Sequence, residues 1–253
     1  MRLIERTRYL ETLVDVMGTP DIKVITGIRR SGKSKLLEAL RDYILANVAD
    51  ANVIHVNYNL DDFEGIAEYH ALLNYVKDRY QPEAVNFLLI DEVQMCEGFE
   101  RAINSLHASE RYDIFITGSN AFLLSSDLAT LFTGRTFELE VFPFSFSEFC
   151  EYYGRTDVDD AFDDYALQGG MSGSYLYKNP VQRFKYVADV FRTLVMRDIV
   201  QRHNVRNKVM LDKIGDFMLD NVSNITSARS VANALGSGGS VPNHKTVGAY
   251  IGY

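Results

Sequence analysis

Eight residues near the start of the chain have the types and the spacing of a loop that binds phosphate. They read Gly-Ile-Arg-Arg-Ser-Gly-Lys-Ser from Gly27 to Ser34 and fit the pattern G-x-x-x-x-G-K-[ST]. Glycines let the backbone turn so that successive N–H groups face phosphate oxygens. Lys33 would then reach the outer phosphates of a triphosphate, and the Ser34 hydroxyl would bind Mg²⁺. The residues predicted to bind nucleotide in this segment are Gly27, Ile28, Arg29, Arg30, Ser31, Gly32, Lys33, Ser34 and Lys35.

The segments on either side of the loop support this interpretation. Ile22 to Thr26 is a short β-branched run that is typical of a buried strand. After the loop, Leu36, Leu37, Leu40 and Ile44 recur at helical spacing, which predicts a helix that begins at the loop. Such a helix adds free N–H groups and the positive end of its dipole. A surface turn that fits the pattern by chance would not have this context.

A second signal for chemistry is an apolar run that ends in two acidic residues. Phe87 to Ile90 is followed by Asp91 and Glu92, which indicates a buried strand with carboxylates at its C-terminal end, where open parallel sheets bind ligands. Asp91 is predicted to complete the Mg²⁺ shell, and Glu92 is predicted to be the catalytic residue that activates water. Buried strands often end in acidic residues, so this signal depends on the loop upstream.

Two further candidates flank later strands. The strand predicted from Asp113 to Thr117 runs into Gly118-Ser119-Asn120, where Ser119 or Asn120 could hold the attacking water or the outer phosphate. The alternative is an ordinary turn, for which these residue types are common. Arg135 precedes a predicted strand from Thr136 to Val141 and could stabilise transition-state charge. A structural salt bridge is the alternative for Arg135.

The second half of the chain reads as mainly helical. Ser145 and Glu148 have the spacing of a helix N-cap with its partner three residues on. A long helix is expected from Val181 to His203. The stretch from Val181 to Lys213 carries eight basic and three acidic residues, whereas the whole chain has a formal charge of −8. This stretch could contact nucleic acid or another subunit, or it could neutralise the acidic remainder.

The C-terminal residues suggest a helix-turn-helix. Ser227 to Leu235 and Asn243 to Ile251 are short helical patterns separated by a Gly/Ser-rich turn. Basic residues are few here (Arg229 and Lys245), so DNA binding is one possibility for this segment. A winged helix would need two more strands, and the sequence is therefore expected to be a fragment.

Composition limits the classes of protein that fit. The chain has 253 residues, enough for one large domain or for a core domain with a smaller one. Its net negative charge argues against a whole protein that binds nucleic acid electrostatically. Cys96 and Cys150 are isolated and form no disulfide framework. No signal peptide and no apolar run of membrane-spanning length is evident. A cytoplasmic location without membrane contact is expected.

Taken together, these motifs resemble those of AAA-superfamily ATPases, in particular a prokaryotic group with an origin-recognition-like core. The resemblance covers nearly the whole chain in the order that the family has. It rests on the loop, on Asp91-Glu92-Val93-Gln94, on Thr117 to Asn120 and on Thr133-Gly134-Arg135, with Pro143 to Phe149 and Gly169-Gly170-Met171 as further matches. Where the family usually has Pro after Gly-Gly-Met, this chain has Ser172.

The resemblance implies an α/β fold with a five-stranded parallel sheet of the P-loop NTPase type and helices on both faces. A small helical lid and a partial winged-helix domain would follow. The corresponding domains are residues 1–142, 143–206 and 207–253, and a further C-terminal domain of the family would be missing. It also implies Ser119 or Asn120 as the sensor, Arg135 as an arginine finger acting across a contact in a homo-oligomer, and Arg6 and Tyr9 near adenine.

The function expected from these features is an ATP-binding, Mg²⁺-dependent ATPase that couples its nucleotide state to a conformational change in a partner or oligomer. The alternative is a nucleotide-gated DNA-binding or scaffold protein, with DNA bound through the C-terminal winged helix and slow or incidental hydrolysis. A P-loop kinase fits less well, because kinases of that fold usually lack the Asp-Glu pair at the end of the buried strand.

Overall fold

A sheet of five parallel strands forms the centre of the first part of the molecule. In this computed structural model, residues 4–118, 132, 134–192, 199–200, 203–236 and 241–252 are described. The strand order is β2-β3-β4-β1-β5, and every neighbouring pair is parallel. The strands are β1 (Ile22–Thr26), β2 (Ala51–Asn57), β3 (Val85–Asp91), β4 (Asp113–Thr117) and β5 (Thr136–Glu140). All five strands expected from the sequence are present, including the second, which the run from Val53 to Asn57 predicts.

Helices cover both faces of this sheet, because the central strands are apolar on both sides. On one face lie α1 (Thr7–Asp15) and α2 (Lys33–Asn47), and on the other lie α3 (Tyr69–Lys77) and α4 (Phe99–Ala108). Alternate strand residues supply the two cores: Leu88 and Ile90 belong to one, Phe87 and Leu89 to the other. The expected α/β class is thus confirmed.

Two details of this part differ from expectation. Helix α4 was not predicted. The sequence predicts a helix from about Ile66 to Tyr80. The observed helix is α3, which is shorter because the 3₁₀ turn Asp61–Ile66 precedes it and Glu68 caps it. A short helix that the sequence predicts from Leu123 to Leu131 lies outside the described residues.

A buried ion pair holds the N-terminal edge of the sheet. The Lys23 side chain is fully buried in β1, and its Nζ lies 2.6 Å from Asp113 Oδ1 at the start of β4 and 2.6 Å from the carbonyl oxygen of Thr19. Asp113 also accepts a hydrogen bond from the Gly18 N–H, at 2.8 Å. A buried ammonium group needs such partners. Lys23 therefore has a structural place, far from the loop at the other end of β1.

The segment after β5 folds back on itself around aromatic side chains. It contains α5 (Phe146–Tyr153), α6 (Val158–Gln168) and the 3₁₀ turn Ser172–Leu176. The predicted capping box is confirmed: the Ser145 side chain accepts from the Glu148 N–H, and Glu148 accepts from the Ser145 N–H. Gly170 lies so close to Phe144 that a Cβ atom would be 2.2 Å from the Phe144 carbonyl oxygen. Only glycine fits there, which explains one residue of the Gly-Gly-Met motif.

The C-terminal part is helical where it is described. Its helices are α7 (Pro180–Val190), α8 (Lys208–Asp220), α9 (Ala228–Leu235) and α10 (His244–Ile251). The last three share a small core of Ile214, Val231, Ala232 and Val247. The two short helices expected here are therefore present, and Ser227 caps α9 by accepting from the Ser230 N–H at 3.1 Å. The long helix expected to reach His203 is described as α7, with residues 193–198 and 201–202 outside the description.

The chain divides into two compact units, residues 1–178 and 179–253. The division falls inside the expected lid segment 143–206, and the three-domain partition and the winged helix stay predictions. No helix in the described part of the chain is long and apolar enough to cross a membrane.

Candidate functional site

The predicted phosphate-binding loop connects the C-terminal end of β1 to the N-terminus of α2. Gly27 has φ 137° and lies against the residue that follows β5, since a Cβ atom would be 2.2 Å from the Val141 carbonyl oxygen. Gly32, with φ 104°, is the N-cap of α2, and Arg30 has φ 66°. These left-handed residues curl the loop tightly. Gly32 makes no side-chain cap of α2, and a helix N-terminus of this kind can bind an anion.

Two side chains inside the loop fit a bound phosphate. Lys33 is buried, and its Nζ donates to the carbonyl oxygens of Gly27 (2.9 Å) and Ile28 (3.0 Å). The Ser31 hydroxyl is buried and has no hydrogen-bond partner among the described residues. A phosphate oxygen would accept from such a hydroxyl and from the ammonium group. These two groups, with the N-terminus of α2, match the donors that a polyphosphate needs.

The other predicted nucleotide-binding residues of this segment differ in exposure. Ile28, Arg30 and Lys35 are exposed, whereas Arg29 and Ser34 are partly buried. Lys35 forms an ion pair with Glu38 one turn further along α2. Binding of nucleotide by these side chains stays a prediction.

The two acidic residues follow β3 at the same edge of the sheet. Asp91 is buried at the end of the strand. Its Oδ1 accepts a hydrogen bond from the Thr117 hydroxyl (2.5 Å), and its Oδ2 accepts from Asn59 Nδ2 (3.3 Å). Each carboxylate oxygen keeps lone-pair capacity, and oxygen is the ligand atom that Mg²⁺ prefers. The chemistry of the Asp91 carboxylate therefore fits a magnesium ion, and binding of the ion by Asp91 together with Ser34 stays a prediction.

Glu92 turns the chain sharply away from the strand. Its φ and ψ are 56° and 50°, a left-handed conformation that is unusual for a residue with a side chain. The Glu92 N–H donates to Thr117 Oγ1 at 3.0 Å, and the Glu92 carboxylate accepts from Gln94 Nε2. The strained backbone is thus held by its neighbours, as is common at functional sites.

Thr117 and Gln94 were not singled out as site residues from the sequence. Thr117 ends β4, which lies between β1 and β3 in the sheet. One hydroxyl bonds both to the Asp91 carboxylate and to the Glu92 backbone, so it sets the position of the acidic pair. A buried polar residue at the end of an otherwise apolar strand is the signal that could have found it. The sensor predicted two and three residues later, at Ser119 or Asn120, lies outside the described residues.

Strand geometry brings the loop and the acidic pair to one edge. Neighbouring strands lie about 4.8 Å apart, so the C-terminal ends of β1 and β3 are separated by roughly 10 Å with Thr117 between them. This edge is where open α/β sheets bind ligands.

Of the two residues expected near adenine, Arg6 contacts the loop and Tyr9 contacts Arg6. Arg6 is buried and donates from Nη1 to the Ser31 carbonyl oxygen at 2.9 Å. Its other nitrogens donate to Glu148, Nε to Oε1 at 2.7 Å and Nη2 to Oε2 at 3.0 Å. The guanidinium carbon is 4.4 Å from the centre of the Tyr9 ring. A role in adenine binding stays a prediction for both residues.

The contacts of Glu148 shift its pKa. Burial by itself would raise the pKa, but the hydrogen bonds from Arg6 and Ser145 outweigh burial, and the pKa lies below the ordinary 4.5. Glu148 also closes the capping box of α5. Arg6 therefore ties the loop to the first helix after the sheet.

Arg135 lies at the edge of the sheet where the strands begin, opposite the loop. It is exposed and directly precedes β5, and its carbonyl oxygen accepts from the N–H of Ile22 at the start of β1. Because β1 and β5 are parallel, Arg135 is a strand length away from the loop of its own chain. A role as an arginine finger would require a neighbouring copy, and it stays a prediction.

Comparison with known proteins identifies the family of this fold. The family model for an AAA domain matches residues 19–150, just over half of the chain. The chain therefore belongs to the AAA domain family, and the recognition of an AAA-superfamily P-loop ATPase core is confirmed. A second model, for a domain of unknown function, matches residues 159–253.

Two curated relatives align along nearly all of this chain. An uncharacterized protein of Haemophilus influenzae is 31% identical over 255 residues, which cover 98% of this chain and 64% of the relative. The uncharacterized protein MJ1544 of Methanocaldococcus jannaschii is 23% identical over 253 residues, which cover 93% of this chain and 55% of the relative. The chain thus spans less than two thirds of the length of these relatives.

A solved structure shares the fold at low sequence identity. The Hsp104–ADP complex of S. cerevisiae matches with a TM-score of 0.51 and 13% identity, and the match covers 99% of this chain and 38% of that one. At this identity the likeness shows the fold alone.

Proposed function

We propose that this chain binds ATP together with Mg²⁺ and hydrolyses it. The observation that carries the proposal is the hydrogen-bonded set Asp91–Thr117–Glu92, which stands at the same sheet edge as the curled loop of Lys33. Binding of nucleotide without hydrolysis requires only the loop. Hydrolysis also requires carboxylates that are held beside the loop.

Each residue has a defined task in this proposal. The helix N-terminus and Lys33 bind the phosphates, and Lys33 exchanges its carbonyl partners Gly27 and Ile28 for phosphate oxygens. Ser34 and Asp91 would hold the Mg²⁺ ion, whose charge offsets that of the phosphates. Glu92 accepts a proton from the attacking water, which then adds to the outer phosphorus while the bond to the ADP oxygen breaks.

Paired variants of the 253-residue chain test this function. Lys33→Ala should lose ATP affinity, because it removes the buried cation of the loop. Glu92→Gln should keep ATP affinity within about twofold but lower turnover by roughly 100-fold or more, because the amide cannot take the proton. Affinity is measured by titration with a fluorescent ATP analogue, and turnover is measured by phosphate release.

Arg41→Ala on helix α2 is the matched control, because Arg41 forms an exposed ion pair with Asp42 and should leave both quantities unchanged. Normal turnover by Glu92→Gln would contradict the role given to Glu92. Unchanged ATP affinity of Lys33→Ala would contradict the assignment of the loop.

The nucleotide state is proposed to reach the rest of the molecule through Arg6. This side chain bonds at once to the loop carbonyl of Ser31 and to Glu148 of α5. A change in the loop on hydrolysis would therefore act on the segment after the sheet, a conformational change biased by ligand. Arg135 would act on the nucleotide of a neighbouring copy in a homo-oligomer.

A nucleotide-gated DNA-binding protein is the second candidate. The observation that favours it is the packing of α8, α9 and α10 around one small core, since a helical trio of this kind is the frame of a helix-turn-helix. The exposed residues Arg229 and Lys245 lie in the first turns of α9 and α10. In this candidate, hydrolysis is slow and the nucleotide controls access of the helices to DNA.

A further inference from the structure

The Gln94 side chain makes a directed contact with the carboxylate of Glu92. Gln94 lies in the 3₁₀ turn Val93–Met95, directly after Glu92, and its Nε2 donates to Glu92 Oε2. The orientation of the amide is fixed by this contact, because the opposite orientation would place the amide oxygen, an acceptor, against a carboxylate that can only accept.

The rest of the turn does not depend on this amide. Backbone hydrogen bonds hold it, from the Met95 N–H to the Glu92 carbonyl oxygen (2.9 Å) and from the Cys96 N–H to the Val93 carbonyl oxygen (3.0 Å). The Gln94 Oε1 atom is buried and has no hydrogen-bond partner among the described residues. A buried acceptor without a donor is unfavourable, so a side chain present only for stability would be apolar here.

The contact controls the one part of Glu92 that the backbone leaves free. Thr117 fixes the Glu92 N–H, and the left-handed backbone fixes where the side chain begins. The torsions of the side chain are not set by these contacts. A hydrogen bond to Oε2 holds the carboxylate in one rotamer. A reaction is faster when its catalytic group is already in position.

We propose that Gln94 is a positioning residue that orients the Glu92 carboxylate to accept the proton of the attacking water. The inference rests on the proposed ATPase function, in which Glu92 accepts the proton. Gln94 itself need not touch the nucleotide. Its effect should therefore appear in the chemical step and should require an intact Glu92.

The first test uses Gln94→Met, which keeps the length of the side chain. It removes the Nε2 donor and also the Oε1 acceptor that has no partner among the described residues. The expected kcat for ATP falls about tenfold to 100-fold, the size of effect seen when a supporting hydrogen bond to a reactive group is lost. KM and the dissociation constant of ATP should stay at the values of the unaltered chain, and the melting temperature without nucleotide should not fall, because the change removes an acceptor that has no donor. Met95→Ala, an exposed position in the same turn, is the control and should leave kcat unchanged.

The second test is a double-mutant cycle with Glu92→Gln. Because Gln94 acts through the Glu92 carboxylate, Gln94→Met should change single-turnover hydrolysis by less than twofold in the Glu92→Gln background. The contact itself is tested by NMR in the absence of nucleotide. The side-chain amide resonances of Gln94 should shift in the Glu92→Gln variant, because the charged acceptor is gone.

The outcomes separate the inference from the function on which it rests. Unchanged or raised kcat in Gln94→Met would overturn the inference, as would an equal loss in the Glu92→Gln background. A fall in kcat that is accompanied by a lower melting temperature and weaker ATP binding would show a structural role and would also overturn it. An unaltered chain that binds ATP and does not turn it over would contradict the proposed function itself.

Discussion

At the scale of single residues, the hydroxyl of Thr117 connects two groups with different tasks. It donates to the Asp91 carboxylate and accepts from the Glu92 N–H. The proposed metal ligand and the proposed base are therefore adjacent in sequence and also share a partner on the neighbouring strand. Moving one of them moves the other.

Thr117→Val tests this connection at nearly constant side-chain volume. The variant leaves the Glu92 N–H without its acceptor, which costs about 1–3 kcal/mol of unfolding free energy. ATP turnover should fall by at least tenfold, because Asp91 and Glu92 both lose the partner that orients them. Unfolding in denaturant and phosphate release measure the two effects.

Thr117→Ser is the control for this prediction, because it keeps the hydroxyl and should recover most of the turnover. If Thr117→Val were as active as the unaltered chain, the hydroxyl would have no part in placing the acidic pair.

At the scale of elements, an ion pair connects the loop of β1 and α2 with helix α5. The side chains of Arg6 and Glu148 are 6% and 15% exposed, and the guanidinium also bonds to the Ser31 carbonyl oxygen. Residues 142 positions apart are joined here. Removing one partner of a pair buried to this degree leaves a charge without compensation, which is strongly destabilising.

Glu148→Gln should lower the free energy of unfolding by about 3–5 kcal/mol near neutral pH. The pKa of Glu148 is lowered in the folded chain, so the carboxylate contributes its full stability above the ordinary pKa of 4.5, and this contribution is lost as the pH falls through the lowered value. The difference between the unaltered chain and Glu148→Gln should therefore shrink below about pH 4.5. Denaturant unfolding between pH 3 and pH 7 measures it.

The matched control is the pair of Arg155 and Asp164 in the same segment, which is 44% and 40% exposed. Asp164→Asn should change stability by at most about 1 kcal/mol. A Glu148→Gln curve parallel to that of the unaltered chain down to pH 3 would contradict the lowered pKa.

At the scale of the whole molecule, an acidic chain carries a basic stretch. The net charge is −8 for all 253 residues, whereas residues 181–213 hold eight basic and three acidic side chains. Much of this stretch lies before α8, the first helix of the trio that supports the second candidate function. The balance between attraction by this stretch and repulsion by the remainder decides whether DNA binds.

If the second candidate holds, the 253-residue chain should bind duplex DNA at low salt, with affinity that falls steeply as salt rises and differs between ATP and ADP. Arg229→Glu together with Lys245→Glu should abolish this binding, because both positions change from attracting to repelling phosphate. Fluorescence polarisation measures the affinity. The control is Lys77→Glu at an exposed position of α3, which makes the same change of charge as each of the two substitutions. No binding at low salt in either nucleotide state would remove this candidate.

The sequence by itself determined the features that are local in the chain. The loop from Gly27 to Ser34, the five strands and the capping box at Ser145 follow from spacing, β-branched runs and side chains that bond to their own backbone. Asp91 and Glu92 were recognised in the same way, because a strand that is buried on both faces is a continuous apolar run whose end is easy to see.

Only the tertiary structure decided which of these features meet. The strand order places β4 between β1 and β3, and that order brings Thr117 to Asp91. The pairing of Arg6 with Glu148 likewise joins distant parts of the chain. Such contacts depend on how helices and strands pack, and a single sequence contains no spacing that reports them. The contact of Gln94 with Glu92 is short-range, yet it needs the left-handed turn at Glu92, which Thr117 stabilises from another strand.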